Sequence, residues 1–259
     1  MTGRLSTPER AAAGLAPSGL VVDGRRIAVP GVRVTTWLDD PQRAPRVTDG
    51  GPREAHDVLA FVWHTSKGRL ATRARQGSIP STHAETLARY QARTAREVSW
   101  HLTVDTDGDV LQQADLATWT CWHAGSANGW TVGAELVQRE DAPDVLTSVQ
   151  IEAAVAVTIA ACDALAIPRR VLVTGGGYPQ LGPVLDLVSP RAKHAKTGRP
   201  LGGRGKTWAG VLGHCHLAHR DSSGGRGPGD PGPLVFEALI AAGFERHLVG
   251  VDGSILGPV

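Results

Sequence analysis

Val58-Leu59-Ala60-Phe61-Val62-Trp63-His64 is the stretch on which the fold turns. Its apolar run is too short for a helix and does not alternate as a half-wet strand would. It predicts a strand buried on both faces, inside a sheet covered by layers on either side. The run ends on an imidazole. A buried ring nitrogen left unsatisfied costs about 1–3 kcal/mol, so His64 has two readings: a core histidine held by a backbone carbonyl, or a metal ligand.

Downstream, residues 81–98 are rich in Ala, Glu, Arg and Gln and predict a surface helix, with Ser81 or Thr82 as N-cap. Ser99 to Asp105 returns to strand character, and Asp107-Gly108 is a hairpin turn into Val110-Leu111-Gln112. Val132 to Val137 is a further strand, interrupted by the carboxylate of Glu135. Thr147-Ser148-Val149-Gln150 has the form of a capping box and starts an apolar helix to about Leu165. Arg169 to Thr174 reads as a strand, 175–206 as an irregular insertion, and Leu234 to Phe244 as a final helix. Upstream, Leu20-Val21-Val22 and Ile27-Ala28-Val29 flank Asp23-Gly24 as a short hairpin, with a possible strand from Val32 to Trp37. Together these elements predict an α/β fold: a central mixed sheet flanked by helices on both faces, with a cleft at one edge of the sheet. The expected division is an N-terminal extension with linker over 1–53, a catalytic domain over 54–250 and a tail over 251–259.

Composition narrows the function classes. Of 259 residues, 41% are hydrophobic and 20% charged, which suits a folded globular chain and excludes a disordered one. The net charge of +2 with no nucleic-acid motif gives no case for DNA or RNA binding. No run approaches the roughly 20 apolar residues of a membrane span, so membrane insertion is not expected. Met1 to Ser18 lacks the apolar core of a secretory signal, which predicts synthesis and folding in a cytoplasm. Cys121, Cys162 and Cys215 are too widely spaced for a zinc knuckle or a disulfide framework and read as free thiols, Cys162 as a buried one.

The histidines carry the chemistry. Gly213-His214 closes a second apolar segment, Val211-Leu212, and Asp230-Pro231-Gly232 follows across a loop. Two imidazoles and a carboxylate with one open position are what a catalytic zinc site requires. Trp100, Trp119, Trp122 and Trp130 either stack on a ligand or pack in the core. Arg191, Lys193, Lys196, Arg199, Arg204 and Lys206 form a basic cluster within the insertion, as a solvated loop or an attraction for an anionic partner.

From about Val58 to Phe244 the sequence resembles the zinc amidases that include phage endolysins, bacterial cell-wall amidases and peptidoglycan recognition proteins. The parts that carry the resemblance occur in order: the strand ending in His64, Val98-Ser99-Trp100-His101 with Asp105-Thr106-Asp107-Gly108, Trp122-His123-Ala124-Gly125, Val132-Gly133-Ala134-Glu135-Leu136, Gln150, Gly213-His214, and Gly229-Asp230-Pro231-Gly232-Pro233. The resemblance implies a Zn2+ held by His64, His214 and Asp230, and Glu135 as the catalytic acid and base. It also implies a peptidoglycan or muropeptide substrate approached by His101, Trp122, His123 and Asn128, with Asn128 shaping the turn after His-Ala-Gly. The implied reaction is hydrolysis of the bond between N-acetylmuramic acid and L-alanine by a monomer. Its setting is either a phage or prophage endolysin acting on the wall after release or a cytosolic recycling enzyme, unless the chain is a recognition module without activity. Two departures stand out. Pro228 occupies the position two before the aspartate where the family usually carries a lysine or histidine for the oxyanion. The loop from His214 to Asp230 is long and contains His219, a competing ligand that fits the recognition-protein spacing if Gly227 replaces a cysteine.

Overall fold

The computed structural model describes residues 19–39, 49–66, 83–96, 98–138, 146–174, 187–188, 206–217, 231–249 and 254–258. Among them nine strands form one sheet: β1 (Val34–Thr36), β2 (Ala60–Ser66), β3 (Leu102–Val104), β4 (Val110–Gln112), β5 (Thr131–Val137), β6 (Arg170–Thr174), β7 (Gly210–Gly213), β8 (Glu245–Val249) and β9 (Ile255–Pro258), in the order β9-β8-β6-β7-β2-β5-β3-β4-β1. The five central strands β6, β7, β2, β5 and β3 run parallel, β3 and β4 are antiparallel, and so are β8 and β9. The sheet is mixed, as expected.

The apolar run at the N-terminal end of β2 explains the layering. Phe61 and Trp63 point to one face, where they join the large core with helix α2 (Ser148–Leu165) and helix α3 (Pro233–Ala241). Ala60 and Val62 point to the other face, against Ala124, Ala127, Trp130 and Leu217. On that second face helix α1 (His83–Gln91) packs Ala84, Leu87 and Ala88 on Trp100, Leu111 and Val137. A strand covered on both sides has no face for polar residues, which is why its apolar run does not alternate. The same covering accounts for α2: it is apolar on nearly every side because it lies between the sheet, the hairpin at Leu20–Val22 and α3.

Helix ends follow local chemistry. Thr147 caps α2 by accepting from Gln150 N at 3.1 Å, but the reciprocal half of the expected capping box is missing. Gln150 sends its amide into the sheet instead, donating to Val104 O (3.1 Å) and Val137 O (2.8 Å). Helix α1 stops at Gln91 rather than running to 98. The buried Gln91 amide accepts from Trp100 N and donates to Trp100 O, both at 3.3 Å, which turns the chain back toward β3. Its expected cap at Ser81 or Thr82 lies outside the described residues, as does nearly all of the 175–206 insertion.

Residues of the expected extension and tail form the two edge strands of the sheet. Val34–Thr36 pairs with β4 and Ile255–Pro258 with β8. The hairpin Leu20–Val22/Arg25–Ile27 turns through Asp23 (φ 52°) and Gly24 (φ 69°), the left-handed pair of a type I′ turn. The buried carboxylate of Asp115 accepts from Asp23 N and Gly24 N and also from Ala117 N and Thr118 N (2.8–3.1 Å), while Gln112 bonds both backbone groups of Val21. The first described residues are therefore fastened to the segment that follows β4. Asp115→Ala leaves those amides without their acceptor, and a loss of about 2–3 kcal/mol is expected. Urea unfolding measures it, and an unchanged midpoint would show that the hairpin is not anchored there.

Candidate active site at the strand ends

The site assembles where parallel strands end together. His64 and Glu135 are register partners on β2 and β5, so their side chains leave the same face at one level, and Gly213 is paired with Trp63, which sets His214 beside His64. The His64 and His214 ring centres are 4.5 Å apart, tilted by 43°. His64 is buried, whereas Glu135 and His214 are half-buried. Two adjacent imidazoles at the mouth of a sheet are donors of the kind zinc takes. Asp230 and His219, the competitor of His214, lie outside the described residues, as do Gly227 and Pro228, and among the described residues no group of three metal-binding side chains occurs.

His123 comes from the segment between β4 and β5, and its two ring nitrogens are both engaged. Thr131 Oγ1 donates to Ala127 O (2.8 Å), so it accepts from His123 Nε2 (3.1 Å). That leaves Nδ1 as the bare nitrogen of a neutral ring, facing His64 Nε2 at 3.1 Å. His64 then carries its proton on Nε2 and has its lone pair on Nδ1. A ligating histidine commonly donates its second N–H to such a partner, which fixes tautomer and ring orientation. His123, expected to approach substrate, meets the His64 ring through this bond. Burial first, then the nearby His101, Arg53 and His214, hold its pKa well below the usual histidine value.

His101 was also expected to meet substrate. It is fully buried: Nδ1 accepts from Gly133 N (3.0 Å), so Nε2 carries the proton and donates to Trp119 O (2.9 Å). With both nitrogens committed it forms the floor under His123, the two rings 5.8 Å apart. Asn128 shapes the turn as read from sequence: its Oδ1 accepts from His123 N (2.9 Å) and Ala124 N (2.6 Å), and the residue is buried. Of the four tryptophans weighed for sugar stacking, Trp100 and Trp130 are core residues, Trp119 is half-buried, and Trp122 is 40% exposed. His216, next to the candidate ligand, is buried, its Nδ1 accepts from Gly213 N at 3.0 Å, and burial lowers its pKa to about 4. Cys162 is buried as expected, its thiol pushed up to about 12 by burial.

Three residues of the site have no role assigned from sequence: Thr131, Arg53 and Gly133, the last quoted only within its motif. A glycine inside a strand can mark a close approach, and Gly133 does: a Cβ there would fall 2.4–2.7 Å from the His123 ring atoms.

Two outcomes follow. Gly133→Ala must move His123, with a stability loss of about 1–3 kcal/mol and a disturbed His64 ring signal in NMR spectra. Gly129→Ala, where a Cβ meets nothing within 4 Å, is the control expected within about 0.5 kcal/mol of the parent; equal behaviour of the two would refute the close packing. The second concerns acid. Burial, then Arg53, lowers the pKa of His101 in the folded chain. Above about pH 6.5 the ring is neutral folded or unfolded and contributes nothing to the pH dependence. Below it the unfolded chain takes up a proton that the folded one refuses, so stability falls by up to about 1.4 kcal/mol per pH unit for each such histidine. Urea midpoints at pH 7.5 and 5 should drop accordingly, and a flat profile would contradict the neutral floor.

Comparison with known proteins assigns the chain. Residues 55–232 match the family model described as N-acetylmuramoyl-L-alanine amidase. No curated protein matches the sequence. Similar solved structures include the endolysin amidase LysCS of Clostridium intestinale URNW (10% identity, 83% of this chain and 96% of that one, TM-score 0.43). A mutant endolysin from Bacillus subtilis (15%, 81% and 97%, 0.44) and wild-type Drosophila PGRP-LB (14%, 82% and 95%, 0.44) are similar too. With its site-bearing strands β2, β3, β5 and β7 all inside the matched span, the chain belongs to the N-acetylmuramoyl-L-alanine amidase family.

Proposed function

We propose that the protein hydrolyses the amide bond between N-acetylmuramic acid and L-alanine of peptidoglycan, with zinc as its cofactor. The observation that carries this reading is the register pairing of His64 with Glu135, with the His214 ring 4.5 Å from that of His64. Membership of the amidase family supports the bond and the substrate class.

His64, His214 and Asp230 are the residues that would hold the metal, with His219 as the alternative to His214. Zinc, when bound, supplies a Lewis acid at the amide carbonyl and makes water acidic enough to attack near neutral pH. Glu135 takes the proton from the attacking water and returns it to the departing alanine nitrogen, a role worth about 10²–10⁴-fold in rate. The His123–Thr131 pair keeps the His64 ring from turning away. Trp122 offers an exposed indole face to the sugar. The products are the lactyl carboxylate of the muramic acid and a peptide with a free L-alanine amine. The setting we favour is a phage or prophage endolysin acting on the wall as a monomer. Pro228, in place of the usual oxyanion-stabilising residue, is the observation that favours a second reading, a recognition module without activity.

Zinc content and release of soluble peptide from purified peptidoglycan test this on the native chain, His64→Ala and Glu135→Ala. One zinc per native chain, new L-alanine amino termini without new reducing ends, and loss of release in both variants are expected. Glu135→Ala should retain its metal. A native chain that binds wall fragments, holds no zinc and releases nothing is a recognition module, and the catalytic roles above are then wrong.

A further inference from the structure

Arg53 is a buried cation whose hydrogen bonds go to carbonyls rather than to a carboxylate. Its Nε donates to Ala117 O (3.1 Å), Nη1 to Asn128 O (3.2 Å) and Thr131 O (2.6 Å), and Nη2 to Leu116 O (2.7 Å), with His101 Nε2 2.9 Å from the same nitrogen. Its backbone N–H is fixed as well, on Thr118 O at 3.2 Å. Burial brings its pKa down to about 10, which leaves it charged at neutral pH.

The four carbonyls are not scattered. Leu116 and Ala117 begin the segment that leads into β5, and Asn128 and Thr131 end it. Between them stand Trp122 and His123. One planar guanidinium therefore closes both ends of the segment, bonding the backbone of Asn128, whose side chain holds His123 N, and of Thr131, whose hydroxyl holds the His123 ring. Lysine has as many charges but no planar fork to span two chain ends. A short strand, Asp49–Pro52, paired with Trp119–Cys121, delivers Arg53 to this position.

We propose that Arg53 is a positioning residue for the reaction, locking the 116–131 segment so that His123 holds His64 and Trp122 faces the cleft. The proposal rests on the amidase reading for its effect on rate, but not for its effect on the segment.

The test uses Arg53→Lys and Arg53→Ala in the full chain, with two readouts. In the first, amide hydrogen exchange in Arg53→Lys is expected to speed at least about tenfold over 116–131 and to stay unchanged in Ser148–Leu165, to which Arg53 makes no hydrogen bond. In the second, kcat on peptidoglycan is expected to fall about 10–100-fold with KM within about twofold, as misplacement of a reacting group predicts. Millimolar guanidinium, but not methylammonium, should recover activity in Arg53→Ala and not in Arg53→Lys. Exchange that rises equally in the helix, or in neither region, overturns the proposal, because Arg53 is then a general stabiliser or dispensable. So does a loss confined to KM. If Arg53→Ala does not fold, Arg53→Lys alone decides. If the native chain releases nothing from peptidoglycan, the amidase reading fails while the exchange comparison still judges Arg53.

Discussion

Everything at the site depends on the parallel register of β7, β2 and β5. Parallel neighbours end on the same side of a sheet, so residues far apart in sequence emerge together without a loop having to fold precisely around them. Gly213 opposite Trp63 and His64 opposite Glu135 are consequences of backbone hydrogen bonding. The side chains inherit their spacing from the roughly 4.8 Å between strands. A site carried by rigid central strands is better defined than one carried by loops, and here the apolar layers on both faces hold those strands in place.

Beneath this arrangement lies a buried polar layer. Thr131, His123 and His101 are each satisfied by named partners, with Arg53 below them supplying charge to carbonyl oxygens rather than to an acid. Burying such groups is costly unless their hydrogen bonds are complete. Completeness gives the layer its function: each ring is confined to one tautomer and one orientation. The protons of His101 and His123 follow from their neighbours, Gly133 N–H and Trp119 O for one, the Thr131 hydroxyl for the other.

The N-terminal residues take part in the same construction. Asp115 joins the first hairpin to the start of the 116–131 segment, and Arg53 joins the strand after it to both ends. Residues that look in sequence like a prelude of short strands and turns therefore bear on the position of His123. The hydrophobic pattern could not reveal this, because the edge strand Val34–Thr36 and the ladder at Asp49–Pro52 are too short to carry a period.

By itself the sequence determined what local chemistry can dictate. A run buried on both faces needs layers on both faces, Asp23-Gly24 makes a type I′ turn, and Thr147 caps a helix. The order of motifs around His64, Glu135 and His214 belongs to one family of amidases. The tertiary structure decided where each side chain's hydrogen bonds go. Gln150 turned from its own helix to two strand carbonyls, Gln91 ended a helix early, and His101 took Gly133 N and Trp119 O as its partners. Arg53, unremarkable in a stretch of glycine and proline, became the partner of four carbonyls. The physical reason is common to all four: a buried polar group must be satisfied, and its partner is set by which distant segments the sheet brings within about 3 Å, not by the neighbours in sequence.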